Sequence, residues 1–279
     1  MTDNSDKDLV ERGNDAADRG DHTEAIRLFE RAVKDGESWA ALNLGNSFLA
    51  TGDVQQAIRA YERGWQAGDR DSGLSLAQVL EDQGGVDRAI DIYRHLVELG
   101  DQRARVNLAW HLRQQGATDE ASDLLRVVMQ HEGEAGDAAA GMLGTWELSL
   151  GHVDIAEPLL RRGANSYPTA RADLAEVVLS QGDLDGAEAL YSAGIEAGEL
   201  DSMIPYANLL ERRGEIEKAE SILRTASELG DRNASYNLSR LLRDAEKVDE
   251  ADRFLRLAAE RGDRFALRDM ATDETTKKS

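Results

Sequence analysis

Five histidines, His22, His95, His111, His131 and His152, are scattered without the paired spacing of a metal site, and the chain contains no cysteine. No thiolate nucleophile, disulfide or cysteine-based metal centre is therefore available. The 54 acidic residues are what an acidic helical surface requires, so carboxylate pairs single out no acid–base site. No glycine-rich loop is spaced to cradle a phosphate. These absences lead us to expect neither an enzyme nor a bound metal or cofactor. The chemistry left is that of recognition. Trp39 and Trp110 can act as flat apolar anchors, asparagine amides both donate and accept hydrogen bonds, and arginines can clamp a carboxylate.

The elements that must carry these side chains are marked by eight alanines: Ala25, Ala57, Ala89, Ala121, Ala156, Ala187, Ala219 and Ala251. They recur at intervals of 32, 32, 32, 35, 31, 32 and 32 residues. Around each there is an apolar residue thirteen positions before, a turn ending five before, a ring or leucine four after, and usually Gly-Asp eleven and twelve after. A period between about 20 and 50 residues marks a repeat array, whose units bury their apolar faces by stacking on neighbours. In Ser38 to Asp69, apolar residues at Ala41, Leu44, Phe48 and Ala50 keep helical spacing; Gly52 ends that helix and Asp53 can cap the next. Val54, Ala57, Ile58, Tyr61 and Trp65 share one side of the second helix, which stops at Gly68.

Each alanine is expected to permit a close crossing against a small partner, Ala57 on Gly45 and Ala25 on Gly13, because helices approach closely only where facing side chains are small. The larger residues four positions on, Phe29, Tyr61, Tyr93, Leu125, Leu160, Tyr191, Leu223 and Leu255, are expected to be core, as are Trp65 and Trp146. Hairpins are placed near residues 6, 38, 70, 102, 137, 168, 200 and 232, within a single repeat domain over 6–271. A short cap covers 264–271, and tails at 1–5 and 272–279 are expected to be disordered. Between Val128 and Ala138 the chain is three residues longer than its equivalents, which predicts either a plain loop insertion or a hinge.

The formal charge of -21 disfavours nucleic acid and anionic membranes, since neutralising phosphates needs lysine and arginine in excess. No run reaches the eighteen or so apolar residues of a membrane span. The start, MTDNSDKD, lacks the basic and apolar regions of a signal peptide, so a cytoplasmic protein is expected. Arginine-over-lysine usage and abundant alanine hint at a GC-rich bacterial genome.

The order Leu44-Gly45, Phe48, Ala57, Tyr61, Gly64 resembles the tetratricopeptide repeat over about residues 6–271. The Gly-Asp ending with Leu44-Gly45 is similar to the related Sel-one-like repeat, but the longer inter-helix turn of that relative is missing. Gly-Asp stands where the tetratricopeptide family usually ends its second helix with proline, except at Tyr167-Pro168, and the period is shorter than the usual residue count of about 34. The resemblance implies an all-α, alpha-alpha superhelix (solenoid) of about eight hairpins, right-handed, with first helices lining a concave groove. Carried over residue by residue, the groove would be lined by Asn14, Trp39, Asn46, Gln78, Arg103, Trp110, Arg113, Asn208, Tyr236, Arg240 and Arg243, with further positions such as Glu81, Glu176, Arg212 and Asn233. The family's chaperone-tail carboxylate clamp is not expected: Asn14 and Asn43 match it, but Val10, Asp71 and Ser75 occupy its cationic positions. The arginines of the last hairpin and cap, among them Arg232, Arg264 and Arg268, read as a solvated, salt-bridged face.

Together these features predict a protein-interaction scaffold that binds a peptide or protein segment, basic or amphipathic, in the groove. A peptide-sensing regulatory module and a self-associating repeat protein, hence a homo-oligomer, are the alternatives.

Overall fold

The computed structural model describes residues 8–276, with the side chains of 272–276 excepted. The tail at 1–5 lies outside the described residues. The chain divides into two compact units, meeting in sequence between Val128 and Met129, where a single domain over 6–271 is expected. The division falls at the irregular segment that interrupts the alanine spacing.

The first unit holds α1 (Leu9–Asp18), α2 (His22–Lys34), α3 (Ala40–Ala50), α4 (Val54–Gln66), α5 (Arg70–Asp82), α6 (Val86–Glu98), α7 (Gln102–Gln114) and α8 (Thr118–Val128). The second holds α9 (Glu134–Ser149), α10 (Val153–Gly163), α11 (Pro168–Ser180), α12 (Leu184–Glu196), α13 (Leu200–Arg212), α14 (Ile216–Glu228), α15 (Arg232–Asp244), α16 (Val248–Glu260) and α17 (Arg264–Thr276). The described residues form helices and turns without strands. In each unit consecutive helices pair as hairpins and each hairpin packs on the next.

The repeated Gly-Asp is a stop followed by a start. Gly20, Gly36, Gly52, Gly68, Gly84, Gly100 and Gly116 all take positive φ and stand sixteen residues apart, so every helix of the first unit up to α7 ends in a left-handed turn that glycine adopts without penalty. Where an aspartate follows the glycine, it caps the next helix. Asp53 accepts from the Gln56 amide, Asp101 from the Ala104 amide and Asp231 from the Ala234 amide, each satisfying an orphan donor of the first turn. The turn after α10 has no left-handed residue, and after α15 the left-handed position is held by Glu246 at φ 61 instead of a glycine.

All eight alanines of the repeat have 0% exposure, and the rings and leucines four positions later are buried with them. Three of the small residues twelve positions before an alanine, Gly13, Gly45 and Gly144, have a further reason to lack a side chain. A β-carbon on Gly45 would overlap the ring of Tyr61, one on Gly13 the ring of Phe29, and one on Gly144 would crowd Leu160. The small residue makes room for the large one at the far end of the motif, while the alanine's own lack of bulk lets the helices close. Gly141 and Gly163 bring α9 and α10 backbone to backbone, since a β-carbon on Gly163 would overlap Gly141 itself.

The inserted residues lengthen α9, which at 16 residues outruns the 10 to 13 of the other helices, and Gly133 precedes it at φ 105. The last helix likewise exceeds the cap expected over 264–271: it continues to Thr276, because ATDETT contains neither glycine nor proline to stop it. Residues 277–279 lie outside the described residues. Within this helix Ala266 is buried against Leu255 and Ala258 of α16.

Candidate functional site

In the first unit the expected residues stand on, or at the boundary of, the first helices of the hairpins. Trp39, at the N-terminal boundary of α3, and Trp110 on α7 are 53% and 48% exposed. Asn14, Asn46, Gln78 and Arg103 are exposed and Arg113 is half-buried. Asn14 and Asn46 meet around a hollow of about 410 Å³ that also takes in Asn43 and His22. There Asn43 donates its amide to Asn14 Oδ1 at 3.0 Å, tying α3 to α1.

Arg103 is drawn sideways. Its guanidinium donates to Asp71 at 2.6 Å and to Asp101 at 3.0 Å, and these partners hold its pKa above the ordinary arginine value. Its guanidinium thus bridges α5 and the N-cap of its own helix.

Behind Trp110 lies a polar cluster that the sequence pattern did not flag. His111 is buried and touches Glu81 through Nε2; Tyr93 donates its hydroxyl to Glu81 Oε2 at 2.9 Å and stacks on the imidazole at 6.0 Å between ring centroids. Burial first, then the neighbouring Glu81 carboxylate, drives the Tyr93 phenol far above its usual pKa. This cluster joins α5, α6 and α7, and Trp110 rests edge-on against His111 at 4.8 Å. The exposed indole therefore stands on a fixed base. A histidine next to a tryptophan, one repeat from a glutamate, was the available signal. Trp146 is buried as expected, while Trp65 is half-buried, edge-on to His95 at 5.3 Å.

In the second unit the expected residues separate into two places. Asn208 lines a hollow of about 380 Å³ with Glu176, Tyr191 and Arg212. Tyr236 and Arg240 meet in a groove of about 780 Å³ between α15 and α17. Tyr236 donates to Asp269 at 2.8 Å and stacks on Phe265 at 5.8 Å. Arg243 turns away to pair with Asp252 of α16 at 2.7 Å, which places it within its own hairpin. The contribution of α17 was legible in principle: the 32-residue step carries Asn233 onto Phe265 and Tyr236 onto Arg268.

Among the described residues, no three histidine or carboxylate side chains are grouped to hold a metal ion, and no helix is long and apolar enough to cross a membrane. The first unit exposes Trp39 and Trp110 beside hydrogen-bonding side chains, and the second gathers its expected residues in two separate hollows.

The tetratricopeptide repeat profile matches residues 10–73, 74–138 and 142–202. The chain belongs to the tetratricopeptide repeat family. Its fold is similar to that of yeast Tom70, with TM-score 0.66 and 17% identity over 93% of this chain and 60% of that one; the chain thus spans less than two thirds of that protein's length. A tetratricopeptide repeat protein from Parabacteroides merdae is similar at TM-score 0.59 and 16% identity, over 87% of this chain and 97% of that one. The quorum sensor NprR from B. thuringiensis, in its apo form, is similar at TM-score 0.60 and 10% identity, over 91% and 86%. No curated protein matches the sequence.

Proposed function

We propose that the chain is a protein-interaction scaffold that holds a peptide or protein segment on the exposed faces of its first helices. The observation that carries this reading is the pair of tryptophans in the first unit, about half exposed, with Trp110 braced from behind by the His111, Glu81 and Tyr93 cluster. Large aromatics held rigid and open to solvent are the side chains that most often dominate binding energy, because they bury much area at little entropic cost. Asn14, Asn46 and Gln78 on the same set of helices supply the hydrogen-bonding capacity that an extended backbone needs.

The charge of -21 favours a basic or amphipathic partner for this face and predicts that its affinity falls as salt rises. The test is affinity capture from the native organism with the wild type, Trp110→Ala and Arg113→Glu, with circular dichroism confirming that both variants are folded. Loss of the same partners from both variants supports the reading; identical partner lists from all three proteins refute it.

A further inference from the structure

The groove between α15 and α17 has a charge opposite to that of the chain around it. Arg232 and Arg240 enter it from α15, Arg264 and Arg268 from α17, and Tyr236 and Phe265 form its floor. Among the described residues, Asp263 and Asp269 at its edge are already engaged, and Glu211 lies near enough to Arg240 for the two charges to act on each other. Asp263 is almost fully buried and accepts from the Phe265 and Ala266 amides at 2.9 and 2.8 Å, as the cap of α17. Asp269 accepts from Tyr236 and pairs with Arg268 at 3.1 Å.

The guanidinium groups are also preorganised. Arg264 lies over the Phe265 ring at 4.7 Å and Arg268 at 5.6 Å, while Tyr236 stacks on the same ring. An arginine resting on an aromatic face, as Arg264 does, presents its planar fork to an anion at a smaller loss of side-chain entropy, while Arg268 already donates to Asp269 and adds positive charge to the groove wall. We infer that this groove binds an acidic peptide segment, its carboxylates taken by the arginines and its backbone met by the Asn233 and Asn237 amides that line the same groove. This inference rests on the interaction reading above and gives the second unit a partner chemistry of its own.

Charge complementarity selects this occupant. A basic segment would face four arginines, and a long polyanion such as nucleic acid would meet the repulsion of a chain carrying -21 as soon as it extended beyond the groove. A short acidic stretch meets only the local surplus of positive charge.

The experiment uses the full chain and a fluorescein-labelled peptide with four glutamates in an otherwise neutral sequence, read by fluorescence anisotropy. The same peptide with glutamines in place of glutamates is the control, and inorganic phosphate and a single-stranded oligonucleotide are the competitors. The expected result is saturable binding of the glutamate peptide, weakened by salt and weakened at least about tenfold by Arg240→Glu or Arg264→Glu. Arg240→Lys should retain part of the affinity and Trp110→Ala all of it. Equal binding of both peptides, or binding indifferent to the two arginine reversals, overturns the inference, as does an oligonucleotide that outcompetes the peptide. Absence of any peptide binding, with Trp110-dependent capture intact, overturns it while leaving the scaffold reading in place.

Discussion

Tyr61 donates its hydroxyl to Asn46 Oδ1 at 2.6 Å, so the ring that fills the second hairpin also sets the amide of a residue on the exposed face. Burial raises the Tyr61 phenol to about 12, which keeps it a neutral donor throughout the physiological range. Tyr61→Phe retains the packing and removes the bond. The expected cost is about 0.5–1.5 kcal/mol by denaturant unfolding, together with faster motion of the Asn46 side-chain amide in NMR relaxation. An unchanged Asn46 signal would show that the hydroxyl does not position it.

The fully buried alanines leave no room for growth. Ala121→Leu in the first unit and Ala187→Leu in the second should each destabilise by about 1–3 kcal/mol. Because the chain has two compact units, a single unfolding midpoint is an unsafe measure. Hydrogen exchange should instead show lost protection concentrated in the unit that carries the substitution.

Glu246 occupies a backbone position that glycine holds at the other left-handed turns among the described residues. A non-glycine residue there costs about 1–2 kcal/mol relative to the right-handed region. Glu246→Gly should therefore stabilise the α15–α16 hairpin, by somewhat less than that because glycine also loses more freedom on folding. Lost hydrogen-exchange protection in α15 and α16 of the variant would contradict this.

Arg171 and Glu199 form a largely buried ion pair at 2.8 Å in the second unit, with the guanidinium also reaching the Ala193 carbonyl and Asn165. Burial pushes the Glu199 carboxyl up, against the pull of Arg171. Removing one partner strands the other, so Arg171→Met should cost about 3–5 kcal/mol. Arg171→Met combined with Glu199→Leu should recover much of that loss. A double variant as unstable as the single would assign the arginine's role to its packing.

Burial also raises the Asp173 carboxyl above its ordinary 3.8, opposed by Thr145, with Asp201 adding a smaller upward push. Its folded pKa thus lies above its unfolded one, and between the two the folded state binds more protons. This contribution to stability is lost as pH rises through that window and regained as pH falls. Asp173→Asn should accordingly stabilise the second unit at neutral pH, with the gain shrinking toward pH values below 3.8. Chemical denaturation at two pH values distinguishes this from a pH-independent effect.

The hairpins, their core alanines and their rings could be read from spacing because each depends on neighbours within one period. Gly-Asp likewise announced where helices stop and start, as Gly52 and Asp53 illustrate. What spacing could not reveal was which long side chain reaches which partner. Arg103 and Arg243 look like groove arginines by position, yet Asp71 and Asp252 draw them aside. His111 and Glu81 meet across a repeat boundary, and nothing in either residue's own helix required it. By register Gly45 is expected only to make room for Ala57, yet a β-carbon there would also overlap the Tyr61 ring, because side-chain direction adds contacts that register alone leaves open.

The even stride of the left-handed glycines from Gly20 to Gly116 makes the first unit tolerant of a particular kind of genetic accident. Duplicating or deleting one full hairpin would leave each ring and alanine facing the same kind of neighbour, so recombination could lengthen or shorten the exposed face without a new interface having to evolve. An insertion of any other length finds no such welcome in the stack and must be absorbed at a seam, as the residues ahead of α9 have been.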